Sequence, residues 1–147
     1  DEGKSVVDYA KGEKLAADAI LGIACEIWIP AARPDVVRAD NVDRLKARLV
    51  LQGANIPITE QAEAVLHARG VVSVPDFIAN AGGVICAAAE FHGGSESGAF
   101  ALIGERIRAN TAEVLRASAA AGTPPRRAAL EMAERRILSA MSYRRGA

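Results

Sequence analysis

The sequence predicts an α/β fold in which a parallel sheet is followed by an antiparallel pair of helices. Three short aliphatic segments, at residues 26–29, 48–51 and 71–74, are each closed by a proline or a glycine, which is typical of buried strands. Their starts recur at a near-constant interval that leaves room for a crossover, and a parallel connection needs about a dozen residues or more. Beyond these segments, the apolar residues follow helical spacing. We therefore expect parallel strands with right-handed connections, followed by helices.

The connections between the predicted strands fit this architecture. A short helix is expected over residues 41–47, and a more clearly marked helix over residues 60–69. Thr59 can cap the second of these helices, acidic residues occupy its first turn, and Gly70 can end it. After the third strand, Asp76 can cap a helix that runs to about residue 91 and is apolar nearly all round, which predicts that this helix is buried.

The tail of the chain predicts two amphipathic helices. Helical spacing relates two sets of apolar residues, which are Phe100, Ile103, Ile107, Val114 and Leu115, and then Leu130, Ala133, Ile137 and Met141. Between them, Gly122 can end the first helix and Pro125 can begin the second. Glu131 and Arg135 have the spacing of an ion pair on an exposed helix face. The chain is thus expected to divide into an α/β part over residues 1–92 and a helical tail over residues 93–147.

Composition argues against several classes of partner. The chain has 18 basic and 18 acidic residues, whereas a nucleic-acid binder normally carries a basic excess on one face. No apolar run approaches the roughly 20 residues that span a bilayer, and no signal peptide is visible, so we expect a cytoplasmic protein without a membrane partner. Cys25 and Cys86 are expected to be buried reduced thiols, with a disulfide as the alternative. His67 and His92 lack neighbours at ligand spacing, so no metal site is expected.

Small residues and amides follow the predicted strands, where an open parallel sheet binds its ligands. These residues are Ala31 and Ala32 after the first strand, Gly53 and Asn55 after the second, and Asn80 after the third. A side-chain amide both donates and accepts hydrogen bonds, as recognition of a nicotinamide carboxamide requires. Ordinary turns are the alternative and, on composition, the more frequent use of such residues. However, two glycines inside a helix, at residues 82–83, cost about 1 kcal/mol each relative to alanine, which a close backbone approach would explain.

Three of these segments resemble a known family. They read IPAA at residues 29–32, GANIPIT at residues 53–59 and PDFIANAGGV at residues 75–84. In this order and spacing, they resemble blocks of the glutamate/leucine/phenylalanine/valine dehydrogenase family. The final residues 141–146 resemble the C-terminal helix of the same family.

The resemblance implies a two-domain enzyme that oxidatively deaminates an L-amino acid, such as glutamate, to a 2-oxo acid with NAD or NADP. This chain would be the C-terminal half of a Rossmann-like, doubly wound sheet with its helical tail. By the same resemblance, Ala31 and Ala32 lie along the cofactor, and Gly53 and Asn55 hold the nicotinamide or its ribose. Asn80 would lie between the nicotinamide and the α-carboxylate of the substrate. We also expect a homo-oligomer, because half a sheet exposes an edge strand and apolar helix faces.

Two residues depart from the pattern of the family. Gln52 stands where the second block usually opens with glutamate, and the lost charge would alter the local hydrogen bonding. Ala87 stands where glutamate-specific members have a serine that bonds the side-chain carboxylate of the substrate. The following residues 89–91 nevertheless read AEF, which is closer to the glutamate branch than to the branched-chain enzymes. The identity of the amino-acid substrate therefore stays open.

No catalytic residue is expected in this chain. The Gly-rich dinucleotide fingerprint is missing, and the glycines within residues 93–98 have the wrong spacing and predict a helix–helix connection. The catalytic lysine and aspartate of the family lie upstream, on its substrate domain. The lysines of this chain all precede the second block, and they are Lys4, Lys11, Lys14 and Lys46. The residue that distinguishes NAD from NADP is likewise expected upstream.

Two other functions are alternatives to the dehydrogenase hypothesis. One is a free-standing regulatory or oligomerisation module that reuses half of a Rossmann core without catalysis. The other is a different nucleotide-binding enzyme, which would not need all three blocks. A Gly-rich segment and a lysine-bearing domain encoded upstream would favour the dehydrogenase.

Overall fold

A computed structural model describes Ser5 and residues 8–144. The three predicted strands are present as β1 (Ile27–Trp28), β2 (Leu49–Leu51) and β3 (Val72–Val74). They form one sheet in the order β1-β2-β3, and both pairs are parallel, with Ile27 opposite Leu49 and Leu49 opposite Val72. The prediction of a parallel sheet is thus confirmed, with strands one or two residues shorter than expected.

The first two connections differ in how much helix they contain. Between β1 and β2 the predicted helix is wrong in extent: only a 3-10 turn forms over Val42–Arg44, because the backbone of Leu45 is already extended. Between β2 and β3, α1 runs over Glu60–Ala68 as predicted. The Thr59 hydroxyl accepts a hydrogen bond from the Ala62 N–H at 3.4 Å, and Gly70 follows the helix with φ +75°. Side-chain capping and a left-handed glycine therefore set the two ends of this helix.

The single helix predicted after β3 is two helices, α2 (Asp76–Ala79) and α3 (Gly82–Phe91). The chain leaves helical geometry at Asn80, two residues before the first of the two glycines, which disfavour a continuous helix. Asp76 is not the cap of α2 but its first residue, and its side chain bonds elsewhere. The expected burial of this helix is also wrong for α3, because none of its residues is buried and Phe91 is 86% exposed. α3 packs mainly against the helix that follows it.

The tail is the predicted antiparallel pair, α4 (Glu96–Ala121) and α5 (Pro125–Arg144). The turn between them places Gly122 at φ +63°, where a residue without a Cβ is favoured. Cross-helix hydrogen bonds join Arg135 to Glu113 at 2.8 Å and Arg136 to Asn110 at 3.0 Å, which confirms the antiparallel arrangement. The predicted pair of Glu131 with Arg135 does not form.

Glu131 and Arg135 each form an ion pair with another residue instead. Glu131 accepts a hydrogen bond from Arg127 at 2.7 Å, one turn earlier on α5. Arg135 is instead drawn across to the carboxylate of Glu113 on α4. The difference arises because a tertiary partner competes with the local one.

Apolar side chains cover both faces of the sheet. Val50 of β2 faces one cluster, where it meets Ala62 and Leu66 of α1. The alternating neighbours Leu49 and Leu51 face the second cluster, which contains side chains of α4 and α5. This alternation follows from the period of two along a strand. The sheet is therefore covered by helices on both sides, as a doubly wound fold requires.

The face of α5 that packs is not the face that helical spacing predicted. The buried side chains of this helix include Ala128, Ala129 and Met132. Leu130 and Ile137, which the spacing placed on the inner face, are 47% and 59% exposed. The apolar residues of α5 lie on more than one side of the helix, so their period alone does not identify the side that packs.

The two cysteines are free thiols and are only partly buried, which corrects the expectation that they are buried. Cys25 packs against the cluster that contains Val50, and Cys86 lies on α3. Within the described residues, no helix is long and apolar enough to cross a membrane.

Candidate functional site

The carboxyl ends of the three parallel strands meet at one edge of the sheet. The loop after β2 is joined to the loop after β1 by a hydrogen bond from the Ala54 N–H to the Pro30 carbonyl at 2.8 Å. A Cβ added at Gly53 would lie only 3.2 Å from the Cβ of Ala31, so a larger residue at position 53 would push these loops apart. The absence of a side chain at Gly53 is therefore explained by the close approach of the first two strand ends.

Two side-chain amides meet at this edge. The Nδ2 of Asn80, which follows α2, donates to the Oδ1 of Asn55 at 2.8 Å and lies 3.5 Å from the Gly53 carbonyl. Asn80 is half-buried, and Asn55 is exposed. Among the described residues, the Oδ1 of Asn80 and the Nδ2 of Asn55 make no hydrogen bond. The pair thus offers one acceptor and one donor, which complement the amino group and the carbonyl of a primary carboxamide.

The structure brings together four of the residues that the sequence singled out for the cofactor. Ala31 lies against Gly53, and Gly53 and Asn55 both lie within hydrogen-bond reach of Asn80. Ala32 is exposed at the same edge, where it lines a cavity of about 730 Å³ together with Trp28 and Ile29. This cavity is open beside Ala31 and Ala32, so both alanines are accessible to a ligand.

Ala87 lies farther along α3, seven residues and about two helical turns after Asn80, with its side chain exposed. A Cβ added at Gly83 would meet no atom within 4 Å, so packing among the described residues does not explain this glycine. The side of α3 that carries Gly83 and Ala87 is therefore open.

Beneath the loop after β2 lies a buried polar cluster that sequence reasoning missed. Arg126 of α5 donates through Nε to Glu63 of α1 at 2.6 Å and through Nη2 to Asp76 at 2.9 Å. The same Nη2 lies 3.0 Å from the Oε1 of Gln52, whose side chain is fully buried. The Nε2 of Gln52 donates to Glu63 and, at 3.0 Å, to the hydroxyl of Ser73. No buried polar side-chain atom lacks a partner in the part of the chain that the structure describes.

One signal in the sequence pointed to this cluster. Ser73 interrupts an otherwise aliphatic strand, so one polar side chain had to face the interior. The partner could not be identified, because Arg126 is 53 residues farther along the chain and looks like one of several arginines on an exposed helix. Only the packing of α5 against β3 brings its guanidinium to the strand ends.

Electrostatics favour the charged forms of Asp76 and Arg126 in this cluster. Burial acts to raise the pKa of Asp76, but the hydrogen bond from the Ile56 N–H and the guanidinium of Arg126 outweigh it and lower that pKa below the ordinary value. Burial acts to lower the pKa of Arg126, but the carboxylates of Glu63 and Asp76 outweigh it and raise that pKa. Each ion is therefore stabilised by its partner despite partial removal from water.

Other candidate groups lie away from this edge. Lys46 precedes β2 and lines a cavity at the opposite edge of the sheet, together with Arg48 and Arg69. Residues 92–95 form the connection between α3 and α4, and the Ser95 hydroxyl caps α4 by accepting from the Gly98 N–H at 3.2 Å. The helix–helix connection predicted over residues 93–98 is thus confirmed only up to Ser95, because Glu96 and the two residues after it already belong to α4. In the described residues, no three His, Cys, Asp or Glu side chains converge as metal ligands do.

Comparison with known proteins shows that part of this chain is similar to glutamate dehydrogenases. The NADP-specific glutamate dehydrogenase of Saccharolobus shibatae is 43% identical over 81 residues, which are 55% of this chain and 19% of that protein. The NADP(+)-dependent glutamate dehydrogenase of Pyrobaculum calidifontis is 55% identical over 76 residues, which are 51% of this chain and 18% of that protein. The alignments therefore span about a fifth of these relatives.

Solved structures agree over more of the chain. The L-tryptophan dehydrogenase of Nostoc punctiforme matches 86% of this chain and 38% of its own, with a TM-score of 0.78 and 25% identity. The hetero-hexameric glutamate dehydrogenase of Thermus thermophilus shares the fold, with a TM-score of 0.78 at 24% identity over 91% of this chain and 34% of its own. The sequence model of the Glutamate/Leucine/Phenylalanine/Valine dehydrogenases matches residues 1–145. This chain therefore belongs to the glutamate/leucine/phenylalanine/valine dehydrogenase family.

Proposed function

We propose that this chain is the C-terminal part of the NAD(P)-binding domain of a dehydrogenase that oxidatively deaminates an L-amino acid, such as glutamate, to a 2-oxo acid. The observation that carries the proposal is the Asn55–Asn80 pair at the carboxyl edge of a parallel sheet. Its unused acceptor and donor match a nicotinamide carboxamide in number and kind. An ordinary turn would not need two amides from different loops to converge.

The residues around this pair fit the cofactor. Asn55 and Asn80 would hold the carboxamide, and the small residues Ala31, Ala32 and Gly53 would let the cofactor approach the backbone. A bound nicotinamide would supply the hydride acceptor for the oxidation. The names of the two relatives, which specify NADP, support NADP or NAD as the cofactor of this chain.

The amino-acid substrate would lie on the α3 side of the same edge. Asn80 would contact its α-carboxylate, and the exposed Ala87 would face its side chain. Alanine cannot donate a hydrogen bond to a side-chain carboxylate, so recognition of glutamate would depend on other residues. Glutamate remains the proposed substrate because the matching relatives are glutamate dehydrogenases.

The division of labour within the longer protein follows from these assignments. Residues 1–92 would supply half of the nucleotide-binding sheet, and residues 93–147 would brace it with helices. The Gly-rich half, the substrate domain and the catalytic residues would lie upstream, as the resemblance to the family implies. Lys46 lines a cavity at the opposite edge of the sheet from the amide pair, so it is not placed to act there. We also propose that the protein is cytoplasmic and forms a homo-oligomer. The exposed large apolar side chains, such as Phe91 and Leu138, support the self-association.

The test is the change Asn80→Ala in the longer protein that carries this chain. Asn80→Ala would remove the proposed hydrogen bonds of Asn80 to the carboxamide and to the α-carboxylate of the substrate. Losing these two bonds, of about 0.5–1.5 kcal/mol each, should lower kcat/KM for the cofactor roughly ten-fold. Asn110→Ala is the matched control, because this amide lies on α4 and bonds only Arg136. Steady-state kinetics with the best amino-acid substrate measures both variants.

The outcome separates this proposal from a non-catalytic regulatory module. A longer protein that deaminates no L-amino acid would favour the module. Normal kinetics for Asn80→Ala in an active enzyme would show that the site has been assigned to the wrong residues.

A further inference from the structure

We propose that Arg126 is a positioning residue for the nicotinamide, because its guanidinium holds both ends of the loop that carries Asn55. This inference rests on the proposed function of the Asn55–Asn80 pair. Arg126 lies on α5, more than 40 residues after Asn80 in the sequence, and would not contact the cofactor itself. It acts through the buried side chains that surround it.

The first end of the loop is fixed through Gln52. Its Oε1 lies 3.0 Å from Nη2 of Arg126, and its Nε2 is bonded to Ser73 at 3.0 Å. Gln52 is fully buried and directly precedes Gly53. The backbone therefore leaves β2 from a residue whose side chain cannot move without breaking the cluster.

The second end is fixed through Asp76. One carboxylate oxygen accepts from Arg126 at 2.9 Å, and the other accepts from the backbone N–H of Ile56 at 2.9 Å. Ile56 directly follows Asn55. Asp76 also lies close to the other asparagine of the pair, because its backbone carbonyl accepts from the backbone N–H of Asn80 at 2.7 Å. The carboxylate of Asp76 thus connects Arg126 to the backbone next to Asn55, and the same residue is bonded through its backbone to Asn80.

The loop needs this restraint because its backbone is strained. Ile56 has φ +47°, a left-handed conformation that is unfavourable for a β-branched residue. Its carbonyl accepts from the N–H of Asp35, whose φ is +52°. These are the two non-glycine residues with positive φ in the described part of the chain. Without the bond from Ile56 to Asp76, the segment would relax and move Asn55 away from Asn80.

The experiment compares Arg126→Lys with Arg127→Lys in the longer dehydrogenase. Lysine keeps the charge at position 126 but cannot contact Gln52, Glu63 and Asp76 with one planar group. Arg127 is the matched control, because it is adjacent, exposed and paired only with Glu131. We expect kcat/KM for NAD(P) to fall at least ten-fold for Arg126→Lys and less than two-fold for Arg127→Lys.

A double-mutant cycle tests whether Arg126 acts through the amide pair. In the Asn80→Ala background, Arg126→Lys should lower kcat/KM by no more than about three-fold further. Hydrogen exchange of the peptide over residues 53–58 should accelerate at least five-fold in Arg126→Lys, while that of α4 around the buried Val114 stays unchanged. A general loss of stability would instead accelerate both segments. If Arg126→Lys does not fold, Asp76→Asn tests the same connection.

The outcomes separate the two proposals. Fully additive losses, or unchanged exchange over residues 53–58, would overturn the positioning role while an impaired Asn80→Ala enzyme still upheld the proposed function. Exchange over residues 53–58 could instead accelerate in Arg126→Lys while Asn80→Ala keeps normal kinetics. That result would uphold the connection from Arg126 to the loop and overturn the proposed cofactor site.

Discussion

Gln52 places a neutral amide in a buried cluster that already contains the carboxylates of Glu63 and Asp76 and the guanidinium of Arg126. A glutamate at this position, which the second block of the family usually has, would bring a third carboxylate to one guanidinium. Burial makes an excess of one charge costly. The amide avoids that cost and both donates and accepts within the cluster. In this chain the side chain of Gln52 bonds Glu63, Ser73 and Arg126, and the prediction that a glutamate would bond differently stays a prediction.

Asp76 predicts a measurable dependence of stability on pH. Its pKa is lower in the folded chain than the ordinary value, so its ionised form stabilises the fold above about pH 4, the value expected when unfolded. That contribution is lost as the pH falls through the folded-state pKa. Asp76→Asn should therefore lower the free energy of unfolding by about 1.5–3 kcal/mol at pH 7. The difference from the wild type should shrink below pH 4.

Urea unfolding followed by the fluorescence of Trp28, the single tryptophan, measures this difference. Asp40→Asn is the control, since the pKa of Asp40 is also lowered, by a hydrogen bond from Arg38, but its ion pair is exposed. Exposed pairs contribute little to stability. Equal effects of the two substitutions at pH 7 would contradict the argument.

At the scale of helices and strands, the sequence predicted the features that neighbouring residues determine. The three strands, the Thr59 cap and the Gly122 turn depend on residues close in sequence, and all three predictions are confirmed. The break between α2 and α3 and the inner face of α5 were missed. The break has a local signal in the two glycines at residues 82–83, although a single helix was predicted across them. The inner face of α5 instead depends on which surfaces meet in three dimensions, because several of its apolar residues could have faced the sheet.

The orientation of α5 can be tested with two large-to-small substitutions on the same helix. Met132 is 3% exposed in the cluster that contains Val114, whereas Leu130 is 47% exposed. Met132→Ala should lower the free energy of unfolding by about 2–5 kcal/mol, because it leaves a cavity. Leu130→Ala should lower it by less than about 1 kcal/mol. A larger loss for Leu130→Ala in urea unfolding would mean that α5 packs with the face that helical spacing predicted.

At the scale of the whole molecule, one edge of the sheet gathers the residues that we propose for the cofactor. The sheet is covered on both faces, and its carboxyl edge gathers Ala31, Gly53, Asn55 and Asn80. The sequence predicted this edge and its residues because strand ends and small-residue loops are local features. The hydrogen bonds of Arg126 below this edge were not predicted. They depend on α5, which packs against the sheet but is distant from it in the sequence.

The isolated 147-residue chain should bind NAD and NADP weakly and should not deaminate any L-amino acid. Its proposed contacts with the nicotinamide come from neutral amides, which contribute about 0.5–1.5 kcal/mol each. Association costs at least about 4 kcal/mol, so the dissociation constant should be millimolar or weaker. In the longer protein, a helix N-terminus would add the pyrophosphate contacts that normally anchor such a cofactor.

Isothermal titration calorimetry with both cofactors measures the affinity, and the longer dehydrogenase serves as the positive control. Micromolar binding by the isolated chain would mean that the strand-end residues hold more of the cofactor than the carboxamide. Turnover of an amino acid would mean that the catalytic groups lie within these 147 residues. The amide pair would then have to be reassigned from a nicotinamide contact to part of a complete active site, because a few neutral amides account for neither result.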